Sequence, residues 1–369
     1  MEPSVLAQSD SDFSWLDDPV HRKWLTNEAI RQLKFFSGSL GPTGQFRSLN
    51  WDGSEILGEP QVLHATARLI HSYALGKQVG FVGSDVIISA GLHNLEKGHK
   101  DPKHGGYVWS FDENGPCDTV KLAYGHVFVL LAGASALQAG FEEAEKLIME
   151  ISQILDEHFW DDKVGRFKEE FNSDWSTFSY YRGMNANMHG SEALLAAYEA
   201  TQDQVFLDRA GSILDFFIGT IAPQYNWRIP EHYHLDWTID PEYHGNPMFR
   251  PAGTTPGHSF EFARLRIQHW DLSGRPDNSA LVEARQLIET ALNDAWLPEG
   301  GFCYTLDEKG NIKTRDRFWW PVTEAIGAIS TLQRVDPRPD YEAWYRKLWE
   351  FANEYLIDHT NGGWFGAID

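Results

Sequence analysis

The chain has 369 residues, of which 42% are hydrophobic and 23% are charged, and its formal net charge is −22. This composition is typical of a globular protein with enough apolar material for a large core, and the acidic balance excludes nucleic acid and anionic membranes, which bind basic surfaces. The two cysteines, Cys117 and Cys303, give neither a disulfide framework nor a metal-binding spacing.

The N-terminal segment MEPSVLAQSDSDFSWLDD lacks a basic stretch followed by an apolar one, so the sequence predicts no secretory signal. No apolar run in the chain reaches membrane-spanning length. We therefore expect a cytoplasmic protein.

Short stretches that alternate aromatic and β-branched residues and then reach a polar turn recur along the chain, which is a pattern typical of β-hairpins. In chain order they are GQFRSLNWDG from Gly44, GGYVWSFDENG from Gly105, GRFKEEFNSD from Gly165, the poorer match YNWRIPEHYHLD from Tyr225, GGFCYTLDEKG from Gly300 and GGWFG from Gly362. Their starts lie 61, 60, 60, 75 and 62 residues apart, so the chain is an internal repeat with one long insertion.

Two kinds of helix alternate between these hairpins. The segments VLHATARLIHSYALG, KLAYGHVFVLLAGASAL, NANMHGSEALLAAYEA and WPVTEAIGAISTL are apolar nearly all round, as in buried helices, whereas FEEAEKLIMEISQILDEHF and DNSALVEARQLIETALNDAW are amphipathic. Six hairpins imply six helix pairs. The sequence therefore predicts an all-α (α/α)6 barrel in a single domain, 1–369, with the hairpins at the rim of a central pocket; an open helical solenoid is the alternative.

The end of the chain departs from this pattern. Every earlier hairpin is followed by a buried helix, whereas the sequence stops after GGWFGAID. By this count eleven helices are present, and we expect the domain to be C-terminally incomplete, without its last inner helix.

Polar residues near the starts of the buried helices are the candidates for a functional site. His189 with Glu192, and His258 with Glu261, share a helical face at a spacing of i, i+3. Burying such a pair twice at equivalent points is costly unless it serves a purpose. The further candidates are Arg68, His126, Asn185, Arg250, Trp320 and Glu324.

Several of these candidates also fit a purely structural role. His126 and Arg68, taken singly, fit a hydrogen-bonded core residue as well as a functional one. Glu324 fits a residue that bonds a neighbouring backbone group, and Trp320 fits a core residue. The remaining histidines that we weighed are predicted to be structural or surface residues: His64, His71, His232, His234 and His244.

The residue types point to sugar chemistry. Imidazole moves protons near neutral pH, and a carboxylate one turn away orients it, while aromatic rings suit the apolar face of a sugar. A His-x-x-Glu pair reverses the Glu-x-x-His order of di-iron bundles, and bridging acidic residues are few. We therefore expect neither a metal nor a cofactor.

Four motifs in order, KLAYGHVFVLLAGASAL, RGMNANMHGSEALLAAYEAT, FRPAGTTPGHSFEFARL and RFWWPVTEAIGAI, resemble the N-acylglucosamine 2-epimerase superfamily. Within it they are most similar to the bacterial aldose–ketose isomerase branch, which includes mannose isomerases and the sulfoquinovose isomerase. The resemblance runs from about Arg68 to the chain end. It implies an (α/α)6 barrel and metal-free proton transfer through a cis-enediol(ate).

The resemblance also assigns roles. It implies that His258, with Glu261 as its partner, is a principal catalytic residue, and that His189 positions the sugar with Glu192 beside it. Arg68 would contact sugar hydroxyls and Trp320 would line the site. Together the sequence and the resemblance predict three catalytic residues (His258, His189 and Glu261) and seven that bind substrate (Arg68, His126, Asn185, Glu192, Arg250, Trp320 and Glu324).

Two departures from the family are visible. GQFRSLNWDG and VLHATAR stand where members commonly have a Gly-Gly-Phe stretch and a Leu-Trp run before the arginine. The family's second catalytic histidine lies on the last inner helix, which this sequence lacks.

We expect a metal-independent isomerase that interconverts D-mannose, or a similar aldohexose, and D-fructose. A 2-epimerase of the mannose/glucose, N-acylglucosamine or cellobiose type is the alternative. An inverting glycoside hydrolase that uses Glu261 and Glu324, or an inactive sugar-binding protein, is a further option. The expected partner is a monosaccharide, bound by a monomer or a homodimer.

Overall fold

The computed structural model describes residue 6 and residues 14–245 and 250–368. The segment MEPSVLAQSDSDFSWLDD, for which the sequence predicts no secretory signal, lies largely outside these residues. Chain contacts divide the protein into two compact units: unit 1 comprises residues 1–35, 217–231 and 244–369, and unit 2 comprises residues 36–216 and 232–243. The single domain expected from the sequence stays a prediction. No helix in the described ranges is long and apolar enough to cross a membrane.

Unit 2 is built from three pairs of helices, and the first helix of each pair is the one that the sequence predicts to be buried. These first helices are α2 (Leu63–Gln78), α4 (Ala123–Gln138) and α6 (Met184–Thr201), and each packs on the helix that follows it, namely α3 (Ser84–Asn94), α5 (Ala144–Ile154) and α7 (Gln204–Leu214). In α4, 13 of 16 residues are buried, against 3 of 11 in α5. The contrast predicted from the sequence is therefore confirmed for α4 and α5, whereas α2, with 7 of 16 residues buried, is less enclosed than its apolar sequence predicts.

Unit 1 continues the alternation. It contains α1 (Pro19–Phe36, all but its last residue), the short α8 (Ala222–Gln224), α9 (Pro256–Leu272), α10 (Ser279–Ala295), α11 (Trp319–Val335) and α12 (Pro339–Phe351). Helix α9 packs on α10 and α11, and α11 packs on α12. The described residues hold eleven helices of at least 11 residues, the number predicted from the sequence.

The strands are two to four residues long and pair only antiparallel in the described ranges. They are β1 (Gln61–Val62), β2 (Ser110–Asp112), β3 (Gly115–Asp118), β4 (Lys121–Leu122), β5 (Trp160–Asp161), β6 (Arg166–Phe167), β7 (Glu170–Phe171), β8 (Arg182–Gly183), β9 (His232–Tyr233), β10 (Thr305–Leu306), β11 (Ile312–Thr314), β12 (Arg317–Phe318) and β13 (Ala367–Ile368). The hairpins predicted from Gly105 and Gly300 are confirmed as β2–β3 and β10–β11.

A second kind of pairing joins successive repeats. Strands β1, β4, β8 and β12 lead directly into α2, α4, α6 and α11, and we call them lead-in strands. They pair with β2, β7, β9 and β13, each of which belongs to the hairpin region of the next repeat. Ahead of α9, a single bridge from Thr254 to Leu306 does the same. The backbone just before each of these helices is therefore hydrogen-bonded to the next repeat.

Candidate active site

A buried carboxylate from another segment of unit 1 holds the His258 side chain. His258 is the third residue of α9, and its Nδ1 lies 2.8 Å from Oε1 of Glu231, which is only 3% exposed. We assign the ring proton to Nδ1, because that nitrogen faces a carboxylate, which can only accept. The other ring nitrogen, Nε2, is then free of its proton and able to take one from a ligand.

Strand pairing brings Glu231 to this position. Pro230 bridges Thr254, and the backbone N–H of Glu231 donates to the carbonyl of Gly253 at 3.3 Å. On its other side Thr254 exchanges two backbone hydrogen bonds of 2.9 Å with Leu306. Gly253 has φ +105°, and a Cβ there would lie 2.2 Å from the Leu306 carbonyl oxygen, so only glycine fits. The short ladder thus fixes the carboxylate beside the start of α9.

The predicted pairing of His258 with Glu261 is wrong. A spacing of i, i+3 allows contact along a helix, but here the imidazole turns toward the Glu231 segment instead. The Glu261 carboxylate is buried, and its Oε1 lies 4.0 Å from Nη2 of Arg264. Nε of Arg264 lies 3.8 Å from Oε2 of Glu324. Glu261 and Glu324 therefore share one guanidinium, from a residue that was not among the candidates predicted from the sequence.

Trp320 forms a wall beside His258. The two rings have centroids 5.1 Å apart at an angle of 34°. A Cβ on Gly257 would lie 2.2 Å from Cζ3 of Trp320, so the glycine in the Pro-Gly-His motif lets the indole approach the helix. Trp320 is half-buried, as an aromatic surface open to a ligand must be. The predicted Arg250 is also half-buried, in the loop that precedes α9.

In unit 2 the other predicted pair is present. Nδ1 of the buried His189 lies 3.4 Å from Oε2 of Glu192, at the long end of hydrogen bonding. The imidazole packs edge-on against Tyr124, with centroids 5.3 Å apart, and tilted against Phe128 at 4.8 Å. The Arg68 guanidinium lies 4.4 Å above the same Phe128 ring. Arg68 and His189 thus meet around one aromatic residue.

The two asparagines of NANMH have different environments. Asn187 is fully buried, and its Oδ1 accepts a 2.7 Å hydrogen bond from the Phe167 backbone N–H. Asn185 lies one turn before His189 on α6, and its Oδ1 is buried without a hydrogen-bond partner in the described ranges. Because an unpaired buried acceptor is costly, Asn185 is the one of the two that is suited to bind a ligand.

The prediction that His126 binds substrate is wrong. The residue is fully buried, with Nδ1 2.7 Å from the carbonyl oxygen of Leu122, and its Nε2 accepts a 3.1 Å hydrogen bond from the Tyr107 N–H. Burial lowers the pKa of His126 to about 3, so the ring stays neutral at ordinary pH. Both ring nitrogens are used by the backbone, which makes this residue structural.

The chain is similar to proteins of a known family. The model of the N-acylglucosamine 2-epimerase (GlcNAc 2-epimerase) family matches residues 44–369. The chain belongs to this family. A D-mannose isomerase from Thermobifida fusca is 35% identical over 361 residues, which cover 96% of this chain and 89% of that protein.

Solved structures of similar proteins agree with the family assignment. A crystal structure of D-mannose isomerase superposes with a TM-score of 0.89 at 33% identity and covers 94% of this chain and 90% of that one. A cellobiose 2-epimerase from Spirochaeta thermophila DSM 6192 has a TM-score of 0.82 at 22% identity, covering 94% and 88%, which shows the fold alone. The fold class predicted from the sequence, an all-α (α/α)6 barrel, is confirmed.

Sequence reasoning missed two residues that the N-acylglucosamine 2-epimerase fold brings into unit 1's site. Glu231 lies in YNWRIPEHYHLD, the hairpin stretch with the weakest match to the repeat, and no spacing links it to His258. Arg264 lies one turn after Glu261 on α9, so an i, i+3 search from that carboxylate would have found it.

Proposed function

We propose that this chain is a metal-independent aldose–ketose isomerase that interconverts D-mannose and D-fructose. The observation that carries the proposal is the buried His258–Glu231 pair beside the Trp320 ring, at the start of a helix in this family. Relatives at 35% and 33% identity, matched over most of both chains, are named D-mannose isomerase, which favours this sugar pair.

His258 is suited to move protons on the sugar oxygens. Its Nε2 takes the proton of the anomeric hydroxyl and returns it to the ring oxygen as the bond between C1 and that oxygen breaks, which opens the sugar ring. Glu231 stabilises the imidazolium that forms and keeps the ring in the required tautomer. The proton then passes from C2 to C1 through a cis-enediol(ate), a step for which the family resemblance implies a second histidine.

The remaining candidates are assigned to substrate binding. In unit 2, Arg68 offers donors to hydroxyl groups and the Asn185 Oδ1 offers an acceptor, while His189 with Glu192 orients the chain of the opened sugar. In unit 1, Trp320 offers a flat apolar surface to one face of the sugar.

Epimerisation at C2 is the second candidate function, because the family model that matches is that of an N-acylglucosamine 2-epimerase. It needs the same enediolate and differs only in returning the proton to the opposite face of C2. The hydrolase alternative is less favoured. An inverting hydrolase requires an acid and a base carboxyl group on opposite sides of the scissile bond, whereas Glu261 and Glu324 both lie within 4.0 Å of one guanidinium, that of Arg264.

The test is incubation of D-mannose with the purified protein in D2O, followed by sugar chromatography and mass analysis. We expect fructose as the product and deuterium at C2 of the recovered mannose. If fructose does not form and no deuterium enters C2 of mannose, the isomerase assignment is refuted. If glucose is the main product, the protein is an epimerase instead. EDTA should leave the rate unchanged; activity that EDTA removes and a divalent ion restores would contradict the metal-free mechanism.

His258→Asn tests the assignment of the proton carrier. Loss of a general acid–base group lowers turnover by about 10²- to 10⁴-fold, and we expect a fall in that range. His269→Asn is the matched control, since His269 lies in the last turn of the same helix α9. Equal rates for the two variants would refute the role of His258.

A further inference from the structure

One histidine of unit 2 has an environment that no role described so far explains. His64 is the second residue of α2 and is half-buried. Its ring stacks on the indole of Trp109, with centroids 5.1 Å apart at an angle of 15°, and tilts against Tyr124 at 5.8 Å. The backbone N–H of Leu63 donates to the Trp109 carbonyl at 2.8 Å, which holds the indole beside the start of the helix.

One polar atom of this ring lacks a partner among the described residues. Nδ1 of His64 is buried and has no hydrogen-bond partner in the part of the chain that the structure describes. Other histidines of unit 2 are bonded: His126 to two backbone groups, and His99 to the Thr66 hydroxyl and the Val108 carbonyl. A buried polar atom without a partner is rare in proteins, so hydrogen bonds to the protein do not explain the position of this ring.

The ring is neutral at ordinary pH. Burial, followed by the positive charge of Arg68 and the nearby His189, lowers the pKa of His64 to about 4. A neutral imidazole carries its proton on one nitrogen only. Placing it on the buried Nδ1 would leave an unpaired N–H in the interior, so we assign the proton to Nε2. His64 thus presents a donor toward the side of the ring that is not buried.

The neighbours of His64 are the predicted sugar-binding residues of unit 2. Arg68 follows one turn later on α2, at the i, i+4 spacing that puts two side chains on one helical face. The Tyr124 ring that contacts His64 also contacts His189. His64, Arg68 and His189 therefore line one surface around Tyr124 and Phe128.

We propose that His64 is a specificity-determining residue that donates a hydrogen bond from Nε2 to the hydroxyl oxygen at C3, C4 or C6 of the bound sugar, next to the Arg68 contact. This inference rests on the proposed function, because it needs a sugar as the ligand. His64 lies in VLHATAR, one of the two segments in which a departure from the family pattern is visible. The proposal gives this departure a role in the choice of sugar. A site built to donate to a hydroxyl discriminates against the analogue that lacks it.

The experiment combines two variants with a series of substrates. His64→Phe keeps a ring to stack on Trp109 but has no nitrogen, whereas His64→Gln keeps an amide donor. KM and kcat are measured for D-mannose and for its 3-, 4- and 6-deoxy analogues. His71→Phe is the control, because His71 lies two turns further along α2 and its Nδ1 is hydrogen-bonded to the Ser135 hydroxyl at 2.7 Å.

For D-mannose we expect His64→Phe to raise KM about tenfold, the worth of one lost neutral hydrogen bond, and His64→Gln to recover part of it. One deoxy analogue should be about tenfold poorer than D-mannose with the wild-type protein, yet no poorer with His64→Phe, because the bond is already absent. His71→Phe should lower the melting temperature without any dependence on the analogue.

Failures of the two ideas are distinguishable. If the wild-type protein converts D-mannose and His64→Phe has the same KM values for all four sugars, the role of His64 is overturned and the proposed function stands. The role of His64 is equally overturned if His64→Phe impairs all four sugars to the same extent, since that is a structural effect. If the wild-type protein neither converts nor binds any of these sugars, both the proposed function and the role of His64 are overturned.

Discussion

Replacing Glu231 by glutamine removes the charge beside His258 but keeps the size of the side chain and an oxygen that can accept from Nδ1. The resting structure should therefore survive. In the transition state the imidazole is positively charged, and the partner lies 2.8 Å away and is 3% exposed, so little water screens the pair. A hydrogen bond to a charged partner is worth about 1.5–3 kcal/mol, which corresponds to a fall in kcat of roughly 10- to 150-fold.

The assay is steady-state conversion of D-mannose, with kcat and KM measured separately. KM should change little, because Glu231 acts on the substrate only through the histidine. Glu283→Gln is the matched control: Glu283 pairs with Arg266 at 2.7 Å in the same unit, away from His258's contacts. A kcat for Glu231→Gln equal to that of Glu283→Gln, with both proteins folded, would refute the reasoning.

Three further predictions concern the fold around the site. Gly257→Ala places a Cβ 2.2 Å from Cζ3 of Trp320, so we expect about 1–3 kcal/mol of lost stability in urea unfolding together with a raised KM; an unchanged KM would contradict the wall assigned to the indole. Because burial lowers the pKa of His126 from its ordinary value of 6.5 to about 3, the unfolded chain binds a proton between these two pH values and the folded chain does not. The contribution of His126 to the free energy of unfolding should therefore be complete above pH 6.5 and fall by about 1.4 kcal/mol for each pH unit below that value. The His126→Gln variant should show a shallower dependence of stability on pH. Asn185→Ala should raise KM at an unchanged melting temperature, whereas Asn187→Ala, which loses a buried bond to a backbone N–H, should lower the melting temperature.

The regular part of the fold was predictable because its signals are local. A helix such as α4, buried on nearly all sides, has a continuous apolar sequence, and hairpins such as β2–β3 carry their own turn residues. The pairing of lead-in strands with the next repeat was not predictable. These strands have two residues each, which is too short for an alternation pattern, and their partners are far away in the sequence.

The site divides in the same way. The pairing of His189 with Glu192 follows from helical spacing, and the structure has it. Glu231 reaches His258 through the Thr254 ladder, so no periodicity within one helix could reveal it. His126 was misassigned because a histidine bonded to two backbone groups and one that awaits a ligand have the same local sequence signature.

The lead-in pairings have a consequence for how such proteins diverge. The first turn of α9 carries His258, and the residues that fix this turn, Thr254 and Leu306, exchange only backbone hydrogen bonds. Backbone bonds survive the replacement of side chains, so we expect mutations and insertions at the hairpin tips to leave the His258 imidazole in place. Proteins with this fold can therefore change their sugar specificity through substitutions at the hairpin tips while the start of α9 keeps its position and the reaction stays the same.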